Sequence, residues 1–174
     1  MSTETKNLDF TRAGFQSFLA ARKEPAWLSE IRLAAWDRFE AMPWPSNRDE
    51  EWMRTDIRTF KLDPFQLPQP PESFEPPAAI LTQGVELGGS SAIRDGGVVT
   101  PAQLDPRWAE RGVIFGNLAD LMEEHGDLIR KYLFRAVDGT VDRFAALHQA
   151  AWTCGTFLYV PRHAVLDQPT PTVV

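Results

Sequence analysis

Six of the 14 prolines fall between residues 63 and 77: Pro64, Pro68, Pro70, Pro71, Pro76 and Pro77. Proline lacks a backbone N–H and disfavours the α region in the residue before it. No helix or central strand can run through such a tract, so 63–77 is expected to be an extended connector. The chain around it divides by pattern into a helical region over 1–62, a small α+β region over 78–154 and a β-rich stretch over 155–174.

Before the connector, Phe10, Ala13, Gly14, Phe15, Phe18 and Leu19 recur at helical spacing, with Asp9 or Thr11 as cap. Glu24-Pro25 ends this helix, and Pro25 suits the first position of the next. Leu28, Ile31, Ala35 and Phe39 make its apolar stripe, flanked by Trp27 and Ala34. Arg32 and Glu40 are assigned to the wet side. Met42-Pro43-Trp44-Pro45 stops it. Ser46 or Asn47 is expected to cap a helical turn over the acidic segment that follows, and 58–62 to become extended.

Beyond the connector, Ala79-Ile80-Leu81, Val85-Glu86-Leu87, Ile93 and Val98-Val99 read as short strands. Asp95-Gly96-Gly97 is a hairpin turn signal. Residues 100–111 read as irregular, and Val113-Ile114-Phe115 as another strand. Helical period returns from Asn117 to Leu133, and Thr140 is expected to cap a last helix ending near Trp152. Gly155-Thr156-Phe157-Leu158-Tyr159-Val160 then reads as a strand, and the stretch to Val174 suggests a chain cut inside a sheet.

The formal charge of −6 argues against a nucleic-acid-binding surface or docking on an anionic membrane. The single cysteine, Cys154, cannot form an intramolecular disulfide and fits a reducing compartment. No apolar leader or membrane-length apolar run is present, so a soluble cytoplasmic protein is expected.

Chemistry-bearing residue types are scattered. Cys154, His125, His148 and His163 are the candidate metal ligands, yet no CxxC, HExxH or tight Cys/His cluster exists. On one continuous helix His148 and Cys154 would lie about 240° apart around the axis. Cys154 therefore reads as a small hydrophobe, and His125 as a satisfied histidine on an apolar face. A Cys154 nucleophile with His148 or His163 has the residue types but no signature. Gly88-Gly89-Ser90-Ser91 and Asp95-Gly96-Gly97 read as turns, since neither opens a phosphate-binding helix. Asp49, Glu50, Glu51, Asp56, Glu123 and Glu124 read as a solvated face or a helix start. The proline tract reads as a spacer rather than a ligand for an SH3-like domain. No catalytic, cofactor-binding or metal-binding residue is assigned.

Two segments carry a resemblance. One is Glu50-Glu51-Trp52-Met53-Arg54-Thr55-Asp56-Ile57, preceded by Pro25-Ala26-Trp27-Leu28 and the Trp44-Pro45 turn. The other is Arg143-Phe144-Ala145-Ala146-Leu147-His148-Gln149-Ala150, followed by Gly155-Thr156-Phe157-Leu158-Tyr159-Val160-Pro161. In this order they resemble the N-terminal region of the SufB/SufD family of iron–sulfur cluster assembly proteins, and the first segment is more similar to the SufD branch. His148 stands where the family pattern has asparagine.

The resemblance covers about residues 15 to 174. It implies an α+β fold: an N-terminal helical domain with a small β portion, leading into the first strands of a truncated right-handed parallel β-helix. It implies a non-enzymatic part of the SUF scaffold, a SufBCD-type complex with SufB-like and SufC-like protein partners. An iron–sulfur cluster, with flavin as a further candidate, would belong to the full complex and not to this stretch. The family's ligating residues lie beyond residue 174. Residues 155–174 would then be disordered, fold back on the helical domain, or pair with a second copy in a homodimer. The alternatives are a stand-alone protein-interaction module and a Cys-nucleophile enzyme.

Overall fold

The computed structural model describes residues 8–68, 86–94 and 97–173. The readings over 79–81, at Val85 and on the rest of the proline tract lie outside these residues. Packing divides the chain into two compact units, each discontinuous in sequence.

The first unit holds the residues up to Pro68 together with Lys131–Trp152. Helix α1 (Arg12–Ala20) starts where the Thr11 side chain accepts a hydrogen bond from the Gly14 amide. That satisfies one of the donors every helix start leaves unpaired. Helix α2 (Ala26–Ala41) has Pro25 as its N-cap rather than its first residue. A single turn of 3-10 helix follows at Glu50–Trp52, with Asp49 at its cap. Asp49 reaches back to accept from the amide and hydroxyl of Ser46, so Ser46 and Asn47 do not cap a helix here. Residues 58–62 form turns rather than a strand.

The buried face of α2 is Leu28, Arg32, Ala35, Trp36 and Phe39. These positions recur at spacings of four, three, one and three, one side of a 3.6-residue helix. The core gathers Phe15, Phe18, Trp36, Phe39 and Leu67 with Ala146 and Ala150. Phe15 stacks on Trp36 with ring centroids 4.2 Å apart. The tilted Phe39 ring lies 5.0 Å from Trp36.

Arg32 reverses its sequence assignment: it is fully buried. Its Nη1 donates to the carbonyls of Ala150 at 2.8 Å and Trp152 at 2.7 Å. Those carbonyls lie at the end of the last helix of this unit (Arg143–Ala151), where helix carbonyls lack intrahelical partners and the dipole favours a cation. Nε lies 3.0 Å from one oxygen of Glu24. The guanidinium carbon sits 4.6 Å from the Trp152 ring and 5.8 Å from the Phe18 ring. Burial pulls the pKa down to about 10 against the opposing pull of Glu24, so the group stays charged at neutral pH.

The second unit holds the described residues from 86 to Arg130 and those from Thr153 onward. Strands β1 (Gly89–Arg94) and β2 (Gly97–Leu104) pair antiparallel, as the hairpin signal requires; the two-residue turn itself lies outside the described residues. Gly89-Ser90-Ser91 thus opens a strand rather than making a turn. Residues 100–104 continue β2, contrary to the irregular reading. Two register shifts occur in the pairing: Ser90 and Ala92 face Gln103 and Thr100, and Ile93 faces Val98. Each adds a residue to β2, and Pro101 sits in the first such bulge, where no ladder donor is needed.

Asp105 caps a short helix, α3 (Pro106–Ala109), and accepts from the Arg107 amide. Strand β3 (Ile114–Asn117) is followed by α4 (Met122–Tyr132), which kinks at His125 and leaves this unit after Arg130. The last helix, α5 (Arg143–Ala151), packs on α2 in the first unit. Its cap is Asp142, accepting from the Ala145 amide; Thr140 instead donates its amide to Asp138.

The tail is paired. Strand β4 (Thr156–Tyr159) runs antiparallel to β3, Ile114 facing Tyr159 and Asn117 facing Thr156. Strand β5 (Thr172–Val173) joins β1 in parallel. The Thr172 hydroxyl lies 2.9 Å from that of Ser91 and 2.8 Å from that of Thr156. Residues 156–159 and 172–173 thus pair with strands of their own unit.

Replacing Arg32 by methionine leaves Glu24 and two helix-end carbonyls without their buried partner. Denaturant unfolding of R32M is expected to show a loss of about 3–5 kcal/mol, the range for breaking a buried pair from one side. A loss below about 1 kcal/mol, the surface range, contradicts the clamp.

Candidate functional site

The segment between α2 and Pro68 has little regular structure, so its shape is set by rings. Phe144, near the start of α5, is the hub. Its centroid lies 5.2 Å from Trp44, 5.2 Å from Trp52 and 5.4 Å from Phe60. Trp44 is also edge-on to Phe39 at 6.1 Å and to Phe60 at 5.7 Å, and Phe60 stacks on Phe65 at 6.4 Å. Offset and edge-to-face pairs of this kind each add about 0.5–1.5 kcal/mol beyond the area they bury.

Arg143 fixes the tryptophan. Its guanidinium carbon lies 4.3 Å from the Trp44 ring and 4.7 Å from the Phe39 ring, while Nη1 donates to the Met42 carbonyl at 2.9 Å. The chain reversal at Met42-Pro43-Trp44-Pro45 is thereby held from α5.

Two clefts flank Trp44 and share it as a wall. The larger, about 590 Å³, is lined by Trp44 to Asn47 and by Met53 to Asp63 except Thr59. The smaller, about 290 Å³, runs from Met42 to Pro45 and includes Asp49, Glu51, Trp52 and 141–143. The apolar residues around the larger cleft are left open to solvent: Met53 is 59% exposed, Phe65 54%, and Trp44 and Phe60 38% each. Exposed large apolar side chains gathered in this way mark interaction surfaces.

The larger cleft also has a fixed charge pattern. Arg58 grips Asp56 with Nε and Nη2, at 3.0 and 2.7 Å, and donates its amide to the same carboxylate. These bonds pull the Asp56 carboxyl down to about 2 from 3.8. Asp56 was read as part of a solvated face or a helix start; it is exposed and outside any helix, and it forms a fork with Arg58, a spacing no helical pattern reveals.

The sequence candidates do not converge. Among the described residues no three His, Cys, Asp or Glu side chains are grouped to hold a metal ion. Cys154 is a half-buried free thiol in the second unit. His125 occupies the α4 kink, its Nε2 3.7 Å from the exposed Glu124 carboxylate. His148 is exposed on α5 of the first unit, edge-on to Phe134 at 6.2 Å. His163 sits at φ 72° in a turn closed by Ala164 donating to Pro161. Glu50, Glu51, Glu123 and Glu124 are exposed.

Truncating the hub, Phe144→Ala, should cost about 2–4 kcal/mol in denaturant unfolding, since the half-buried ring touches three others; a neutral effect contradicts the cluster. For Asp56, a depressed folded pKa means the fork's contribution is full above 3.8 and lost as pH falls through about 2. Carboxyl NMR should place its midpoint near 2, and R58Q should return it towards 3.8. An unchanged midpoint in R58Q removes Arg58 as the cause.

A family profile described as the SufBD protein N-terminal region matches residues 13–171. An iron-sulfur cluster assembly SufBD family protein of Staphylococcus haemolyticus is 29% identical over 158 residues, covering 85% of this chain and 34% of its own length. A protein of the same description in Staphylococcus aureus strain USA300 is 28% identical with the same coverage. The chain thus spans about a third of the length of these relatives. The match includes both segments that carry the resemblance, the acidic-tryptophan stretch that lines the clefts and the helix that supplies Phe144. The chain belongs to the SufBD family, as its N-terminal region.

Proposed function

We propose that this chain is the non-catalytic N-terminal region of a SufD-type subunit of the SUF scaffold, acting in iron–sulfur cluster assembly in the cytoplasm. The family match across residues 13–171 carries the reading. The SufD assignment rests on Glu50 to Ile57, the stretch more similar to that branch. The SufB-like and SufC-like partners, the continuation into a parallel β-helix, and cluster or flavin binding by the full complex follow from the same likeness. A cytoplasmic location accords with the lone Cys154, and no described helix is long and apolar enough to cross a membrane.

A scaffold role suits a chain whose candidate Cys and His residues lie on separate elements and whose cleft beside Trp44 is partly walled by aromatic rings. Nucleophilic catalysis needs a base within hydrogen-bond reach of the thiol. No hydrogen bond of Cys154 to a histidine is present among the described residues. The aromatic clefts favour the interaction-module reading as a role within the scaffold rather than as a rival to it.

Two measurements test this. The coding sequence beyond Val174 should continue as a series of short β segments; a different downstream fold excludes the SufD-type assignment. In the assembled complex, Cys154→Ser should leave cluster formation unchanged within about twofold, whereas loss of a nucleophile removes several orders of magnitude.

A further inference from the structure

The larger cleft combines three features that neither the family match nor the scaffold reading explains. It is walled by rings held rigid through Phe144 and Arg143. Met53, Ile57 and Phe60 offer apolar contact. Its charge is opposite in sign to that of the chain as a whole. The lining carries Arg54, Arg58 and Lys61 against Asp56 and Asp63, and Arg58 and Asp56 neutralise one another in their fork. Among the described residues no carboxylate pairs with Arg54 or Lys61. A protein of net charge −6 thus presents a cleft whose lining carries three cationic against two anionic side chains beside exposed apolar residues.

We propose that this cleft is a docking site for an acidic, apolar-anchored peptide segment of a partner protein. Charge selects the sign of the occupant. Arg54 and Lys61 would pair with aspartate or glutamate, while a leucine or phenylalanine side chain packs on the exposed faces of the Trp44–Phe60 pair. Tryptophan and arginine in a pre-set pocket are the residue types that dominate interface energies, because little side-chain freedom remains to be lost on binding. A peptide suits the site better than a small anion, because the apolar surface continues past the cleft to the exposed Phe65 ring. Nucleic acid is disfavoured by the acidity of the rest of the surface. The inference deepens the interaction role proposed above. It concerns binding by the cleft alone, so it can fail while the family assignment stands, and the reverse.

The test uses fluorescein-labelled peptides of roughly twelve residues, the reach of an extended segment in a groove. One alternates acidic residues with leucine and phenylalanine. A second replaces the acids by lysine, and a third replaces the apolar residues by serine. Anisotropy titrations on the whole 174-residue chain should show the first binding about tenfold or more tightly than either control, and weakening with salt. The exposed-site double reversal R54E/K61E should melt like the parent and shift preference to the lysine peptide. W44A should weaken the first peptide without changing the sign preference. Equal binding of acidic and basic peptides, or acidic binding untouched by R54E/K61E, overturns the proposal. So does competition by ATP or oligo-dT at concentrations at which the acidic peptide binds, which would make the site one for phosphate-bearing ligands.

Discussion

One guanidinium organises the helical unit. Arg32 reaches across from α2 to take the carbonyls that α5 leaves open at its end, with Glu24 on its other side and the Trp152 ring over its face. Burying a cation costs heavily unless it is paired; here Nε and Nη1 are matched, while Nη2 is buried without a hydrogen-bond partner. The register between the two helices is therefore tied to one side chain. Gln149 adds a second polar link by accepting from Arg38 Nη2, and its amide oxygen lies so close to Gly139 that any β-carbon there would collide, at 2.0 Å.

That fixed register is what lets α5 serve the surface as well as the core. Its N-terminal turn carries Arg143 and Phe144 to the chain reversal after α2, and these two residues shape a stretch with almost no backbone regularity of its own. The inner end of α5 is closed by Arg32 and its outer end holds Trp44. The clefts thus sit on a rigid support, the arrangement expected where loops carry recognition on a packed scaffold. Nothing in the second unit is needed to state this. There Trp108 is flanked by Arg111 and Arg107, and β-strand ladders and the Thr172 hydroxyl do the organising.

Much of this was legible from spacing. Helices α1, α2, α4 and α5, the β1–β2 hairpin and the strand after Gly155 follow from period and punctuation, whereas the short α3 fell in a stretch read as irregular. Arg32 was misread although its position is right. It lies in the middle of the stripe made by Leu28, Ala35, Trp36 and Phe39, and only its charge argued for water. The lesson is chemical: a stripe position occupied by arginine asks which carbonyls it can reach, and those lie 118 and 120 residues away, beyond any local pattern. Trp36 was missed for the lesser reason that the stripe was drawn through Ile31. Thr140 lost the cap to Asp142 because both are good caps two residues apart. The cleft was not legible in the sequence, since ring-on-ring contacts among residues 44, 52, 60 and 144 leave no periodic trace.

The interleaving of the units also bears on how the chain is made. On a ribosome, α1 and α2 emerge long before α5, and Arg32 has only Glu24 as partner until the Ala150 and Trp152 carbonyls are synthesised 118 and 120 residues later. At about 5–20 residues per second that interval is roughly 6–24 s, far longer than helix formation or collapse takes. For that time the part of the α2 face that α5 will cover stays open, with Arg32 still lacking its two carbonyl acceptors. Burying Arg32 before those carbonyls exist would leave the guanidinium short of acceptors, which disfavours early dry packing of this face.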